Sequence, residues 1–329
     1  MRLSPVAFAA GGSPARKDTS GEDGAEAGAA LVVAIFGPTA SGKTDVAELV
    51  ADALGGDVVS ADSAQVYRGL PILTNQPAQP TRLVGVWPLD HEASLGGYQR
   101  LAHEAIDALL AEGRTPVVAG GSGLYLRAAL AELELPPAPP VAARGRWEER
   151  YAELGPEATH ALLAGEDPAA AELVHPNDRR RIVRALELAE AGWSLRGADD
   201  RLWARETRHP SVVFGLEVPK DVLERRIEER TRSMFDRGVV EEVRTALAVP
   251  LSHTARQVLG LDEVAQLPRE EAIAAVNLRT RRYAAYQRKW MRRVPGLVSV
   301  DANRPPNEVS ADILEVVRAR QRLLAGRPG

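Results

Sequence analysis

Gly37-Pro38-Thr39-Ala40-Ser41-Gly42-Lys43-Thr44 follows the apolar run Leu31 to Phe36 and opens a helical pattern. Residues of these types, so spaced between a strand and a helix, hold phosphate. Gly37 and Gly42 let the backbone turn tightly enough for its N–H groups to wrap an anion. Lys43 adds a point charge, Thr44 a hydroxyl suited to Mg2+, and the helix its positive N-terminal end. A chance glycine turn is the bland alternative, but all four fixed positions and the strand–loop–helix context agree. The loop leaves its ligand open, because kinases, nucleotide hydrolases and some transferases share it.

Further chemistry-bearing residues follow two more expected strands. Asp62, at the end of an expected strand Asp57 to Ser60, is either a structural or Mg2+-associated acid or a general base aimed at a substrate proton. Its neighbours Ser63 and Gln65 favour the second reading, since an amide beside a hydroxyl can grip an adenine edge with paired hydrogen bonds. Ser122, in the turn Gly120-Gly121-Ser122-Gly123, can meet a second phosphate, cap the next helix, or do both. Arg225, Arg226, Arg230 and Arg232 share one helical stretch; any that face the loop could neutralise a leaving diphosphate, against a default of solvated helix surface. The arginines from Arg179 to Arg184 and from Arg279 to Arg293, the latter interleaved with Tyr283, Tyr286 and Trp290, suit either solvated surface or a clamped polynucleotide. The six histidines show no metal-ligand spacing.

These residues need a scaffold, and 329 residues with 45% hydrophobic and 26% charged side chains can bury a sizeable core. Cysteine is absent, which excludes disulfides, thiolate zinc and cysteine nucleophiles; a cytoplasmic location and a monomer are the default expectations. The net charge of −4 argues only weakly against nucleic acid, because placement of charge matters more than its sum. Lysine occurs at Lys17, Lys43, Lys220 and Lys289, and the rest of the 41 basic residues are arginine, a bias that genome composition explains as well as phosphate contact does. Residues 1–30, rich in Gly, Ala and Ser, read as a disordered tail, and Pro5 interrupts any signal-like run. No segment is long and apolar enough for a bilayer.

Periodicity predicts a helix over Asp45 to Leu54 stopped by Gly55-Gly56, a helix over Ala102 to Leu110, a strand over Thr115 to Ala119, and a helix from Leu124. Ser211 to Glu217 reads as a strand, and Asp221 to Leu247 as a long helical pattern broken near Gly238. The alternation predicts an α/β fold, a P-loop NTPase-like parallel sheet flanked by helices. The Pro-rich stretch Leu135 to Pro140 resembles a hinge, and Val141 to Ala191 is helical and poor in strand formers. The expected organisation is a catalytic core from 31–137 and 205–329, with an inserted helical domain over 138–204.

Together these pieces resemble the tRNA dimethylallyltransferase family. The resemblance rests on the P-loop, Ala61-Asp62-Ser63-Ala64-Gln65-Val66-Tyr67, Gly120-Gly121-Ser122-Gly123-Leu124-Tyr125, His175-Pro176-Asn177-Asp178-Arg179-Arg180, Arg184-Ala185-Leu186-Glu187 and Thr280-Arg281-Arg282-Tyr283-Ala284. It implies transfer of a dimethylallyl group from its diphosphate to N6 of the adenosine 3′ of the anticodon, in tRNAs reading codons that begin with U, with Mg2+ as cofactor. By the same resemblance Thr39 to Thr44 cradle the diphosphate, Thr44 lies near Mg2+, Ser122 and Arg230 steady the leaving group, and Asp62 takes the N6 proton. It further implies that Asp62, Ser63, Ala64, Gln65, Ser122, Arg144, Arg180, Arg181, Arg184, Gln257 and Gly260 touch tRNA, with the helical insert gripping the anticodon stem-loop. Ser122 stands where the family usually has threonine, which keeps the hydroxyl. Leu261-Asp262 and Ala285-Tyr286 replace basic or aromatic positions, implying weaker tRNA affinity or contacts moved to Arg288 and Arg292. Two other functions fit the loop: a prenyltransferase acting on free adenine nucleotides, and a small-molecule kinase.

Overall fold

A computed structural model describes residues 31–136, 141–196 and 204–326. The expected N-terminal tail and Pro137 to Pro140 of the expected hinge lie outside them. Val32-Val33-Ala34-Ile35-Phe36 is apolar and β-prone throughout, the mark of a strand covered on both faces. It forms β1 (Val32–Phe36), the centre of a sheet completed by β2 (Asp57–Ser60), β3 (Pro116–Gly120), β4 (Ser211–Glu217) and β5 (Val298–Asp301). The order is β2-β3-β1-β4-β5. Every pairing is parallel, with Val33 opposite Val117 and Val32 opposite Ser211.

Parallel neighbours demand crossovers, and helices fill them on both faces. Alternate residues of β1 point to opposite sides. Val33 and Ile35 join Val46 and Val50 of α1 (Lys43–Ala53) and Ile313 and Val317 of the C-terminal helix Pro306–Ala325 in one core. Ala34 and Phe36 join Tyr98, Ile106 and Leu126 in the other, beneath α2 (Leu95–Ala111) and α3 (Gly123–Leu130). Each such Val, Ile or Phe contributes about 1.5–3 kcal/mol by leaving water.

Two elements differ from the sequence expectation. The helix expected from Ala102 starts at Leu95, because Ser94 accepts a hydrogen bond from Gly97 N–H at 3.1 Å and so initiates a turn that Gly96 and Gly97 disguise. The edge strand β5 and the helix after it close the sheet beyond β4, where no strand had been expected. The break at Gly238 is as expected: its φ of 94° ends Lys220–Asp236 and starts Val239–Leu247.

The stretch expected to be helical forms α4 (Val141–Leu154), α5 (Pro156–Glu166), α6 (Pro168–Ala171) and α7 (Arg179–Glu190). They carry their own small core of Leu163, Val174, Ile182 and Leu186 under Trp147 and Tyr151. Within it the Glu187 carboxylate is fully buried, accepting from Arg144 at 3.0 Å and from Arg184 at 3.2 Å. A buried carboxylate is tolerated only with such partners. No helix among the described residues is long and apolar enough to cross a membrane.

Candidate active site

The C-terminal ends of β1, β2 and β3 lie side by side, and each delivers one motif: the P-loop, Asp62, and the turn Gly120 to Gly123. Ligands of open parallel sheets bind outside such ends. The loop is built by left-handed backbone at Ala40 (φ 64°) and Gly42 (φ 84°), which folds Ser41 back under Gly37. A Cβ on Gly37 would sit 2.6 Å from Ser41 Oγ, and one on Gly120 would sit 2.1 Å from the Ala61 carbonyl oxygen. Glycine at both places lets the three strand ends close together.

A cavity of about 610 Å3 opens above them. Its polar floor is the P-loop from Thr39 to Thr44, with Asp62, Ala64, Gln65, Arg226 and Arg230. Its other wall is largely apolar: Leu73, Met234, Val258, Leu259, Val276 and the Tyr283 ring. Glu242 holds Leu73 in this wall by accepting from the N–H groups of Ile72 at 2.7 Å and Leu73 at 2.8 Å.

Charges in the cavity are coupled. The enclosed ammonium of Lys43 is pulled down to about 8 by loss of water, with the Asp62 carboxylate opposing and Arg230 adding to the fall. Burial also lowers Arg230, again opposed by Asp62. The Tyr283 hydroxyl is pushed up by burial and by Asp62. Asp62 thus faces Lys43, Arg230 and Tyr283 across one chamber, while its Oδ1 accepts from Ala64 N–H at 2.9 Å. That turn leaves the second carboxylate oxygen for other work.

Of the helix arginines, Arg230 and Arg226 face the cavity. Arg230 donates to the Thr39 hydroxyl at 2.6 Å. Arg225 is exposed and Arg232 pairs with Glu228 and Glu270, the solvated face that was their default. Thr44 lines the cavity; Ser122 does not, and occupies the N-cap of α3 without a side-chain capping bond. Ser63 is half-buried. The Gln65 amide is held by protein partners, accepting from Ser60 Oγ at 2.9 Å and donating to the Asn75 carbonyl at 3.0 Å.

The residues assigned to RNA divide. Arg144, Arg180 and Gln257 come together with Arg179 and His253 around a groove of about 400 Å3. The next residues, Val258 and Leu259, line the cavity of Asp62, so one short segment joins groove and chamber. Gly260, with φ 96°, ends that segment against Leu73. Arg181 supplies the N–H that caps α7 on Asp178, and Arg184 is turned to Glu187. Arg288 and Arg292 lie elsewhere, beside Pro38 on the outer side of the P-loop.

Comparison with known proteins decides the lineage. The IPP transferase family model matches residues 65–294, and the isopentenyl transferase model matches residues 30–83. The chain belongs to the IPP transferase family. A Streptomyces coelicolor tRNA dimethylallyltransferase is 42% identical over 277 residues, which is 80% of this chain and 88% of that protein. The crystal structure of the full-length tRNA isopentenylpyrophosphate transferase from Bacillus halodurans superposes with a TM-score of 0.64 at 28% identity, over 89% of this chain and 97% of that one. A eukaryotic dimethylallyltransferase acting on tRNA shares the fold, with a TM-score of 0.71 at 22% identity over 91% of this chain and 81% of that one.

Some cavity residues of this IPP transferase family member were not among those chosen from sequence. Leu73, Met234, Val258 and Val276 are ordinary apolar residues until the fold assembles them. Tyr283 had a signal: Thr280, Tyr283 and Gln287 stand at i, i+3 and i+7 of the helix Arg269–Met291, which puts them on one face.

Proposed function

We propose that this chain transfers a dimethylallyl group from its diphosphate to N6 of the adenosine 3′ of the anticodon in tRNA. One observation carries the reading: a phosphate loop, a carboxylate and an apolar wall share a chamber that the segment Gln257 to Leu259 connects to an arginine-lined groove. The diphosphate lies along Ala40 to Thr44 with Lys43 and Arg230 beside it, and the dimethylallyl chain lies against Leu73, Met234 and Val276. The adenine enters from the groove, flipped out of its stack.

The N6 lone pair attacks the allylic carbon, the carbon–oxygen bond breaks, and the electron pair leaves on diphosphate. Asp62 accepts the N6 proton through the oxygen not occupied by Ala64. Fixed cations and loop N–H groups stabilise the negative charge as it develops on the leaving oxygen, where preorganised charge is most effective. Leu73, Met234 and Val276 offer no hydrogen bond to a water beside the allylic carbon, which water would otherwise capture.

Mg2+ fits the donors present. Among the described residues no three His, Cys, Asp or Glu side chains gather as a cage, so the protein offers chiefly the Thr44 hydroxyl. That suits a cation held mainly by phosphate oxygens and its own waters. When bound it neutralises charge on the diphosphate.

A free adenine nucleotide as acceptor would need neither the helical unit nor the groove. The test is transfer of labelled dimethylallyl diphosphate to tRNA followed by digestion. Label in N6-(dimethylallyl)adenosine from the position 3′ of the anticodon supports the reading; label elsewhere, or none, contradicts it.

A further inference from the structure

Gln287 is buried to 1% exposure near the C-terminal end of the helix Arg269–Met291, where an uncharged amide costs stability unless all its polar atoms are used. They are used to join two catalytic turns. Its Oε1 accepts from the Thr39 backbone N–H at 2.8 Å, and its Nε2 donates to the Gly121 carbonyl at 2.8 Å. It also shares a side-chain hydrogen bond with Tyr283, which lines the cavity one turn earlier.

Gly121 makes room for this contact: a Cβ there would lie 2.1 Å from Gln287 Nε2. Thr39 continues the chain of contacts, because its hydroxyl accepts from Arg230 at 2.6 Å. Gln287 therefore reaches Arg230 through a single residue. Thr39's N–H is spent on Gln287 and so does not face the anion, which places the start of the backbone cradle at Ala40.

We propose that Gln287 is a positioning residue: by holding Thr39 against Gly121 it sets the P-loop and, through the Thr39 hydroxyl, the Arg230 guanidinium that receives the diphosphate. The inference rests on the proposed diphosphate site. It does not require the prenyl acceptor to be tRNA, so it is tested by anion binding alone.

Calorimetry with inorganic diphosphate and Mg2+ on the wild type, Gln287→Met, Arg230→Ala and the double variant provides the test. Methionine keeps the volume and removes the hydrogen bonds to Thr39 and Gly121 along with the one to Tyr283. Gln287→Met should weaken diphosphate binding about 10-fold, the scale of losing one or two hydrogen bonds at a buried site. In the double variant the loss should be clearly smaller than the two single losses combined, because both act on one group. Affinity for tRNA should stay within about twofold.

Unchanged diphosphate affinity, fully additive losses, or a loss confined to tRNA affinity would overturn the assignment. If Gln287→Met does not fold, Gln287→Asn replaces it: the amide stays but is one methylene too short to span both partners, and the same loss is expected. Wild-type diphosphate affinity in Gln287→Asn would also overturn it. A wild type that binds diphosphate yet transfers no label defeats the proposed reaction and leaves this inference standing.

Discussion

At the residue scale, the proposed reaction turns on what Asp62 faces. Its Oδ1 is tied to Ala64 N–H, and its charge is felt by Lys43, Arg230 and Tyr283. Asp62→Asn keeps the turn and removes the base, so kcat should fall by about 10²–10⁴, the usual worth of a positioned general base. Binding of dimethylallyl diphosphate should hardly change; an unaltered kcat with weakened binding would assign Asp62 to the anion instead. Lys43 gives a second expectation. Its ammonium, lowered to about 8, is charged below that pH and neutral above it. In the free enzyme kcat/KM for dimethylallyl diphosphate should therefore drop as pH rises through about 8, and a flat profile there would count against Lys43 as an anion contact. The linked effect on stability has the opposite sign. Between about 8 and the ordinary 10.5 the unfolded chain holds a proton that the folded chain has released, so Lys43's contribution to stability rises with pH across that window. That Thr39, Lys43, Thr44 and Asp62 stand at strand ends was legible in the sequence, and the fold brings all four to one cavity; the roles proposed for them come from the family resemblance. The Gln287 contact was not, since its partner Thr39 is 248 positions away and a buried glutamine looks like any other polar helix residue.

At the element scale, strand ends meet through missing side chains. Gly120 admits the Ala61 carbonyl, Gly121 admits Gln287, and Gly123 admits the Trp290 ring, whose Cε3 would be 2.2 Å from a Cβ. Gly123→Ala must push the Trp290 ring or α3 aside, a form of overpacking that costs about 1–3 kcal/mol. The fall should be seen as a lower urea midpoint followed by circular dichroism, and an unchanged midpoint would mean that the ring moves freely. Central elements were readable because β1 is an unbroken β-prone run, β4 is rich in β-formers around Gly215, and α1 has helical spacing ended by Gly55. Those missed were the ones whose cause is not periodic. The first turn of α2 depends on the Ser94 cap, and β5 is four residues long, with only Val300 buried. Likewise the cavity wall draws on Leu73, Met234, Val258 and Val276 from separate elements, and only the packed fold brings them together.

At the scale of the molecule, the sheet and its helices carry the P-loop and its cavity, while the helices with their own core carry Arg144, Arg179 and Arg180 to a groove next to Gln257. A net charge of −4 is compatible with the proposed RNA substrate, because Arg144, Arg179 and Arg180 are gathered along one groove. Arg144 and Arg184 are also braced by the buried Glu187, which fixes α4 against α7 and so shapes the groove wall. The sequence marked Val141 to Ala191 as helical, but it could not show that Gln257 lines the groove while Val258 lines the cavity. The claim that joins the scales is that the chamber serves an adenosine in tRNA. Purified protein with Mg2+ and labelled dimethylallyl diphosphate is offered unmodified tRNA, free AMP, or ATP alone. Label on tRNA and none on AMP, without turnover of ATP, is the predicted result; label on AMP, or ATP turnover with no label transferred, would contradict it.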